Sequence, residues 1–345
     1  MVLTAFSQPL LGHLDPEFLR VLDETCDRLR TVFSTTNPLT LPISGTGSAG
    51  MEACFVNLVE PGDTVIVGVN GVFGERMCEV ARRAGATVVR VEAEWGQPLD
   101  PQRLLDAQAQ TRLARLVAVV HAETSTGVEN SIAPLRALQD TETLLLVDTV
   151  TSLAGIPLDV DGWGIDACYS GTQKCLGVPP GLSPVTFSPR AVERISKRTT
   201  PVQSWYLDLG LIGDYVGTAR KYHHTAPTGM IVALHSGLGA VLDEGVHAVW
   251  ARHRGTGTAL QEALVERGFT LIAPDAARLP QLTSVRLPEG LDEAALRKRL
   301  LEEYSIEVGG GLGAFAGVAW RIGLMGHTAR PRNVTSFLGA LDDLL

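Results

Sequence analysis

Residues 144–181 read LLLVDTVTSLAGIPLDVDGWGIDACYSGTQKCLGVPPG and contain the two segments that decide the fold. Two short apolar runs, 144–147 and 167–169, are each followed by residues that can carry out chemistry: Asp148 after the first and Lys174 after the second. Apolar runs of this length, bounded by polar residues, Gly and Pro, predict buried strands of a parallel sheet. Because ligands bind beyond the carboxyl ends of such strands, we expect Asp148 and Lys174 to face one bound molecule.

Apolar runs and segments of helical spacing alternate along the first two thirds of the chain. The expected strands are 40–44, 64–69, 87–91, 116–120, 144–147, 167–169 and 184–187. The expected helices between them are 15–33, 51–59, 72–84, 100–110 and 133–139. This alternation predicts right-handed βαβ units and a mostly parallel seven-stranded sheet with helices on both faces, an α/β fold.

The pattern changes after about residue 235. A long helical region, 236–267, precedes short strands and two further helices. The short strands are expected at 270–272, 282–287, 306–308 and 317–322. We therefore expect an N-terminal segment at 1–14, a large domain at 15–235 and a smaller C-terminal α+β domain at 236–345.

Composition excludes several classes of protein. The chain has 345 residues, 45% hydrophobic and 19% charged, which is typical of a soluble globular enzyme. A net charge of -9 without a long Lys/Arg run argues against nucleic-acid binding. No apolar stretch is long enough to span a membrane, and the N-terminus lacks the basic segment of a signal peptide. The five scattered cysteines predict reduced thiols, a cytoplasmic location and no zinc site.

Lysine is scarce, and this narrows the search for a reactive amine. Only four of the 29 Lys and Arg residues are lysines. Arginine cannot form an imine at neutral pH, whereas a desolvated lysine can. Lys197 and Lys298 lie in polar or charged helical runs, and Lys221 follows Arg220. Lys174 alone follows a predicted strand and precedes a Gly/Pro-rich loop.

Residues 45–50, GTGSAG, match the G-x-G-x-x-G pattern of dinucleotide-binding proteins. That pattern also needs an acid at the end of the next strand, and this strand ends at Asn70, so NAD is not expected. Glycines before a helix N-terminus still offer free N–H groups to a phosphate, and Ser48 adds a hydroxyl. An ordinary glycine-rich turn remains an equally simple interpretation.

Other polar residues after predicted strands have a functional and a structural interpretation. Asp148 could pair with a cationic ring nitrogen or serve as a helix N-cap. The loop HAETSTG at 121–127 could donate a hydroxyl to a ligand or satisfy its own turn. Phe73 could stack on a flat ring or belong to the core. Arg321, inside an apolar strand, could hold a carboxylate or a structural partner. The adjacent His223 and His224 point to opposite faces and predict no metal site.

Taken together, these motifs resemble the class V, fold-type I pyridoxal-phosphate (PLP) aminotransferases, in particular the alanine–glyoxylate and serine–pyruvate branch. The resemblance extends over nearly the whole chain. It is carried by ISGTGSAGMEA, ETSTG, LLLVDTVTSLAGIPLDVD, YSGTQK, KYHHTAP and WRIGLMG, in that order. It implies transamination of a small amino acid, alanine or serine, with glyoxylate or pyruvate as the 2-oxo acid.

The resemblance also implies the role of each site residue. Lys174 would form the Schiff base with PLP and shuttle the proton, and Asp148 would pair with the pyridinium nitrogen. The remaining coenzyme-binding residues would be Ser48, Ala49 and Gly50 at the phosphate through the helix N-terminus, Phe73 stacked on the ring, Thr124 near the phenolic oxygen, and Gln173 at the phosphate. Tyr222 and Thr225 would reach the phosphate of a partner subunit, which implies a homodimer. Arg321 would bind the substrate carboxylate.

One feature departs from the family pattern. Relatives carry a Gly-Pro-Gly-Pro-like turn before the equivalent of Ser7, and only six residues precede Ser7 here. A shortened N-terminal segment is expected to affect substrate preference rather than coenzyme binding. Two alternative functions are cysteine desulfuration or β-lyase chemistry with the same coenzyme, and a non-catalytic nucleotide-binding module built on GTGSAG. Gln173 in place of the usual desulfurase His, and no cysteine after Cys175, argue against a desulfurase.

Overall fold

The computed structural model describes residues 1–217 and 219–345. The strands are β1 Leu39–Ser44, β2 Thr64–Val69, β3 Thr87–Glu92, β4 Ala114–Val120, β5 Ala122–Glu123, β6 Val128–Glu129, β7 Leu144–Asp148, β8 Ala167–Tyr169, β9 Leu182–Phe187, β10 Thr270–Leu271, β11 Leu282–Arg286, β12 Gly309–Gly310 and β13 Ala319–Gly323. The α-helices are α1 Val2–Phe6, α2 Pro16–Phe33, α3 Gly47–Leu58, α4 Val72–Arg83, α5 Pro101–Gln110, α6 Pro189–Ser196, α7 Leu209–Val216, α8 Thr228–Glu244, α9 Val246–Glu266, α10 Glu293–Tyr304 and α11 Pro331–Leu344. Short 3₁₀ helices cover Ala133–Asp140, Asp275–Ala277, Gly313–Phe315 and Gly326–Thr328.

The large sheet has seven strands in the order β1-β9-β8-β7-β4-β2-β3. The pairs β2/β3, β2/β4, β4/β7 and β7/β8 are parallel, and β9 runs antiparallel to both of its neighbours, β8 and β1. The predicted α/β fold with a mostly parallel sheet is therefore confirmed. The carboxyl ends of β7 and β8 lie side by side, which brings Asp148 level with Tyr169.

The central strands are covered on both faces, as their apolar sequences require. Every residue of β7, β8 and β9 is buried. Helix α2 begins where the sequence supplies a cap: Asp15 accepts a hydrogen bond from the Glu17 N–H, and Pro16 occupies the first position of α2. Strands that are buried on both faces carry apolar residues at consecutive positions rather than at every second position.

Gly50 sets the close approach of α3 to the sheet. A Cβ atom at this position would lie 2.0 Å from Ser183 Oγ and 3.0 Å from Tyr169 Cβ. Only a residue without a side chain allows the helix to pack this tightly against β8 and β9. The N-terminus of α3 is thereby held beside the carboxyl ends of the strands.

A second core forms in the C-terminal part of the chain, around the antiparallel sheet β10-β11-β13-β12. The expected helical region 236–267 consists of two helices, because Gly245 (φ 86°) interrupts it. The expected strand at 306–308 is wrong, since pairing with β13 falls on Gly309–Gly310. The predicted division at 235/236 stays a prediction; both residues lie within α8, whose buried residues join the first core. None of the described helices has the length and apolar content that crossing a membrane requires.

Candidate active site

A cavity of about 140 Å³ lies at the carboxyl ends of β7 and β8, beside the N-termini of α3 and α4. The predicted site residues in its wall are Ser48, Phe73, Thr124, Asp148, Gln173 and Lys174. A larger cavity of about 900 Å³ lies between α2 and α7, and none of the predicted site residues lines it. The chemistry of the smaller cavity therefore identifies it as the candidate site.

Asp148 forms the buried floor of the cavity at the end of β7. Its Oδ2 accepts a hydrogen bond from the Tyr169 hydroxyl at 2.7 Å, and its Oδ1 accepts one from the Val150 N–H at 2.8 Å. Burial raises the pKa of Asp148 to about 6, although both hydrogen bonds favour the ionised form. A cation placed against this carboxylate would remove much of the cost of its burial, so Asp148 is suited to hold a protonated ring nitrogen.

Lys174 lies in the loop after β8. Thr172 Oγ1 donates to the Pro179 carbonyl at 2.7 Å, and Cys175 Sγ donates to the Thr151 carbonyl at 3.2 Å, so both sides of the lysine are anchored. Burial lowers the pKa of Lys174, and the positive charge of Arg321 acts in the same direction. A lysine with a lowered pKa has a larger neutral, nucleophilic fraction at physiological pH.

The N-terminus of α3 points at the other end of the cavity. Its N-cap, Thr46, makes no side-chain capping bond. The Ala49 and Gly50 N–H groups donate to the Thr46 carbonyl at 2.8 and 3.4 Å, and neither residue lines the cavity. Gly47 and Ser48 do line it, and the first N–H groups of a helix have no partner within the helix. The candidate phosphate cradle, if an anion binds here, is therefore centred on 46–48 rather than on 48–50.

The loop 121–127 positions the start of α4 through the buried Glu123. Its carboxylate accepts hydrogen bonds from the N–H groups of Phe73 at 3.1 Å and Gly74 at 3.3 Å, and from the N–H and hydroxyl of Ser125. Burial raises the pKa of Glu123 to about 7 against these bonds. Glu123 thus serves as the cap that Gly71 cannot provide, and it fixes the backbone that carries the Phe73 ring into the cavity.

Arg321 lies on β13, outside the wall of this cavity and half-buried. Its Nε donates to the Gly310 carbonyl at 2.9 Å, and it forms no ion pair with any described residue. Burial lowers its pKa, while the negative charge of Glu123 opposes that shift. Its terminal nitrogens are the group that a ligand carboxylate would pair with.

Tyr222 and Thr225 lie on the surface, away from the cavity of their own chain. The Tyr222 side chain is 57% exposed, and its ring lies 5.4 Å from that of His13. The neighbouring His223 stacks on Trp205 at 4.2 Å and contacts His224 through the two Nδ1 atoms, so the expectation that the two imidazoles point to opposite faces is wrong. Within 1–217 and 219–345, no group of three or more His, Cys, Asp or Glu residues could hold a metal ion.

The donor set of the cavity fits PLP. The helix N-terminus and Ser48 could bind an anionic group, and Phe73 could stack on a flat ring. Asp148 could pair with a ring nitrogen, and the amine of Lys174 could bond to an aldehyde carbon. The Asp148 carboxylate is buried, accepts two hydrogen bonds and has no cationic partner within hydrogen-bonding distance among the described residues. A neutral ligand would leave its charge unbalanced, whereas a protonated ring nitrogen would pair with it.

The sequence analysis did not assign a role to three residues at the site: Tyr169, Glu123 and Arg76. Tyr169 ends the strand next to Asp148, and the pairing of the two apolar runs could have indicated it. Arg76 follows Phe73 by one helical turn, a spacing that places both side chains on one face of α4. The capping of α4 by Glu123 carried no local signal, because the N–H groups of Phe73 and Gly74 lie about 50 residues away in the sequence.

The family model of class V aminotransferases matches residues 9–330. The (S)-ureidoglycine–glyoxylate transaminase of Bacillus subtilis is 37% identical, over 100% of this chain and 87% of that protein. The alanine–glyoxylate aminotransferase of Drosophila melanogaster is 38% identical, over 100% of this chain and 89% of that protein. The crystal structure of an alanine–glyoxylate aminotransferase from Nostoc sp. has a TM-score of 0.97 and 46% identity, over 99% of this chain and 91% of that chain.

A cysteine desulfurase from Thermococcus onnurineus has a TM-score of 0.76 at 15% identity, a likeness of fold alone. The match to the class V family model, by contrast, covers almost the entire chain, and relatives at 37–38% identity align with all of it. The chain therefore belongs to the class V aminotransferases, which are PLP-dependent enzymes of fold type I.

Proposed function

We propose that this enzyme transfers the amino group of a small amino acid, alanine or serine, to glyoxylate or pyruvate. The observation that carries the proposal is the convergence of a lysine of lowered pKa and a buried aspartate in one cavity, with the unpaired Arg321 on the neighbouring sheet. The names of the relatives, alanine–glyoxylate and ureidoglycine–glyoxylate aminotransferases, support glyoxylate as the acceptor.

Lys174 and Asp148 have complementary tasks in this proposal. Lys174 would hold the coenzyme covalently through its amine, and the same amine would act as the base that takes the proton from the substrate α-carbon. Asp148 keeps the ring nitrogen protonated, and Tyr169 holds the carboxylate in place. The bound coenzyme supplies an electron sink for the negative charge that develops at the α-carbon.

Arg321 orients the substrate. A guanidinium can bind a carboxylate through two parallel hydrogen bonds, and this fixes the direction of the other bonds at the α-carbon. The Arg321 Nε is held by the Gly310 carbonyl, which leaves the terminal nitrogens for the substrate.

Single-turnover spectroscopy tests the proposal. Purified protein loaded with PLP is mixed with one amino acid in the absence of oxo acid, and conversion to the pyridoxamine form is followed by absorbance. We expect alanine or serine to convert it, and glyoxylate or pyruvate to reverse the change. The Lys174→Ala variant should lose the borohydride-sensitive link to the coenzyme, whereas Lys197→Ala, at an exposed lysine paired with Glu193, should keep it. Sulfide release from cysteine without any oxo acid would instead favour a desulfurase.

We also propose a homodimer in which Tyr222 and Thr225 reach the phosphate bound by the partner subunit. Both residues are exposed and lie outside their own cavity. The exposed aromatic side chains of Trp205 and Tyr206 lie on the same surface region, next to His223 and His224, which supports burial of this region by a second copy.

Subunit complementation tests this arrangement. A Lys174→Ala chain and a Tyr222→Ala/Thr225→Ala chain are each expected to be inactive, and a mixture of the two should recover activity. In a hybrid dimer one site would contain both lesions and the other none. No recovery in a dimer shown to be hybrid would mean that Tyr222 and Thr225 act in their own subunit or not at all.

A cytoplasmic location is the remaining part of the proposal. All five cysteines are buried free thiols, and none lines the candidate site. Free thiols of this number are typical of proteins of a reducing compartment. Labelling of the thiols in intact cells and after denaturation would test their redox state directly.

A further inference from the structure

No role has been assigned so far to Arg76, although its side chain lines the coenzyme cavity. Its Nη1 lies 3.4 Å from Ser48 Oγ, a long contact, and its Cζ lies 5.1 Å from the centroid of the Phe73 ring. It forms no ion pair with any residue in 1–217 or 219–345. Arg76 is thus an exposed arginine that lies beside the phosphate cradle and stacks on the aromatic ring proposed to bind the coenzyme. No described residue balances its positive charge, and an anionic ligand would do so.

The charges of the side chains in the cavity wall indicate which group Arg76 would bind. Arg76 and Lys174 are the two cationic side chains among the described residues of its wall. Lys174 is required at the aldehyde end in the proposed function, so it is not available to the phosphate. A phosphate monoester carries about −1.5 to −2 charges at pH 7, whereas a helix N-terminus supplies only about half a positive charge. Ser48 and Gln173 are uncharged, so the phosphate requires a further cation.

Glu75 and Glu123 are already bound by other groups, and Asp148, whose charge interacts with that of Arg76, forms no ion pair with it. Glu75, the preceding residue on α4, is bound by both terminal nitrogens of Arg90. Glu123 is occupied by the N–H groups of Phe73 and Gly74 and by Ser125. The packing of Arg76 on Phe73 also restricts its conformations, which reduces the entropy lost when an anion binds.

We propose that Arg76 is the counter-charge of the coenzyme phosphate, held over Phe73 and reaching the anion beside Ser48. The inference rests on the proposed coenzyme site and adds to it a residue that recognises the phosphate rather than the ring. It makes the protein select the phosphorylated form of the coenzyme over unphosphorylated pyridoxal. Arg76 is a binding residue in this account and moves no proton.

Coenzyme-binding affinities test the proposal without reference to turnover. The dissociation constants of PLP and of pyridoxal are measured by absorbance titration on coenzyme-stripped protein, for the wild type and for Arg76→Met. Methionine keeps an unbranched apolar side chain against Phe73 and removes the charge. We expect the affinity for PLP to fall about tenfold to a hundredfold, as for loss of a charge-assisted hydrogen bond, and the affinity for pyridoxal to stay the same.

Two further variants and one competitor complete the test. Arg76→Lys should recover part of the lost affinity, and Arg83→Met, on the same helix at an exposed residue paired with Glu79, should bind both compounds as the wild type does. Inorganic phosphate should compete with PLP less effectively in Arg76→Met than in the wild type. Equal loss of PLP and pyridoxal would overturn the proposal and make Arg76 a support for Phe73, and unchanged binding of both would also overturn it. A wild-type protein that binds neither would contradict the proposed function itself.

Discussion

In the proposed site, single residues at the bottom of the cavity would determine how the coenzyme is held. Asp148 and Tyr169 are both buried, and the hydrogen bond between them is the only side-chain bond that either makes with another side chain in the described part of the chain. Burial, together with the nearby negative charge of Asp148, raises the pKa of the Tyr169 hydroxyl well above its ordinary value. The tyrosine therefore acts as a permanent donor to the carboxylate.

Removing that donor should weaken coenzyme binding. In Tyr169→Phe the Asp148 carboxylate loses a hydrogen bond while it stays desolvated, so its ionised form becomes less favourable. We expect the affinity for PLP at neutral pH to fall about threefold to tenfold, measured by absorbance titration. Tyr304→Phe, at an exposed hydroxyl that contacts Asp343, is the matched control. An unchanged affinity in Tyr169→Phe would contradict this account.

Glu123 should make stability depend on pH. Its folded-state pKa, about 7, lies above the ordinary value of 4.5, so the folded protein holds an extra proton between these limits. The contribution of Glu123 is therefore fully favourable below about pH 4.5 and is lost as pH rises through about 7. Coenzyme-free wild type should lose on the order of 3 kcal/mol of unfolding free energy through this group.

The Glu123→Gln variant isolates that contribution. Glutamine does not titrate, so the difference in unfolding free energy between pH 4.5 and 7.5, measured with urea, should be smaller in the variant than in the wild type by the amount assigned to Glu123. Other titrating groups contribute equally to both proteins. Identical pH dependence in the two proteins would show that folding does not shift the pKa of Glu123.

At the scale of elements, α3 and the sheet define the phosphate end of the site. The sequence pattern predicted a helix from 51, whereas α3 begins at Gly47. The earlier start follows from contact of the first helical turn with β8 and β9, which hydropathy alone does not show. It moves the unpaired helical N–H groups toward Gly47 and Ser48.

A glycine pair tests the packing of α3. Gly50→Ala should lower the unfolding free energy by about 1–3 kcal/mol, because its Cβ would overlap Ser183 Oγ. Gly339→Ala in α11 should raise it by about 0.5–1 kcal/mol, since nothing lies within 4 Å and alanine favours a helix. Urea unfolding of both variants decides the matter. A stabilising Gly50→Ala would show that α3 can move away from the sheet.

At the scale of the whole molecule, the C-terminal part supports the lysine loop. A Cβ on Gly326 would lie 3.0 Å from the Cys175 carbonyl oxygen, so the segment around Gly326 packs directly against the residue after Lys174. The Gly326 N–H donates to Nε2 of the buried His253, whose Nδ1 donates to the Val249 carbonyl. The neutral form of His253 satisfies both bonds.

Loss or protonation of His253 should loosen this contact. Burial and the charge of Arg252 lower its pKa below 6.5, opposed by Glu244, so its contribution to stability is present above pH 6.5 and is lost as pH falls. In His253→Phe, amide hydrogen exchange in 323–330 and 175–178 should accelerate about tenfold or more. His247→Phe, at an exposed position of the same helix, is the control. Unchanged exchange would mean that packing alone holds the segment.

The amino-acid sequence by itself determined the fold class and predicted the two residues on which the proposed chemistry rests, Asp148 and Lys174. Strand–helix alternation is a local pattern, and the scarcity of lysine together with the strand ends at Asp148 and Lys174 needs no distant contact to be recognised. Only the tertiary structure decided which N–H groups of α3 face the cavity, that Glu123 caps α4, and that Arg76 meets Ser48. Those contacts join residues about 30 to 50 positions apart, and strand register and helix packing, rather than local sequence, bring them together.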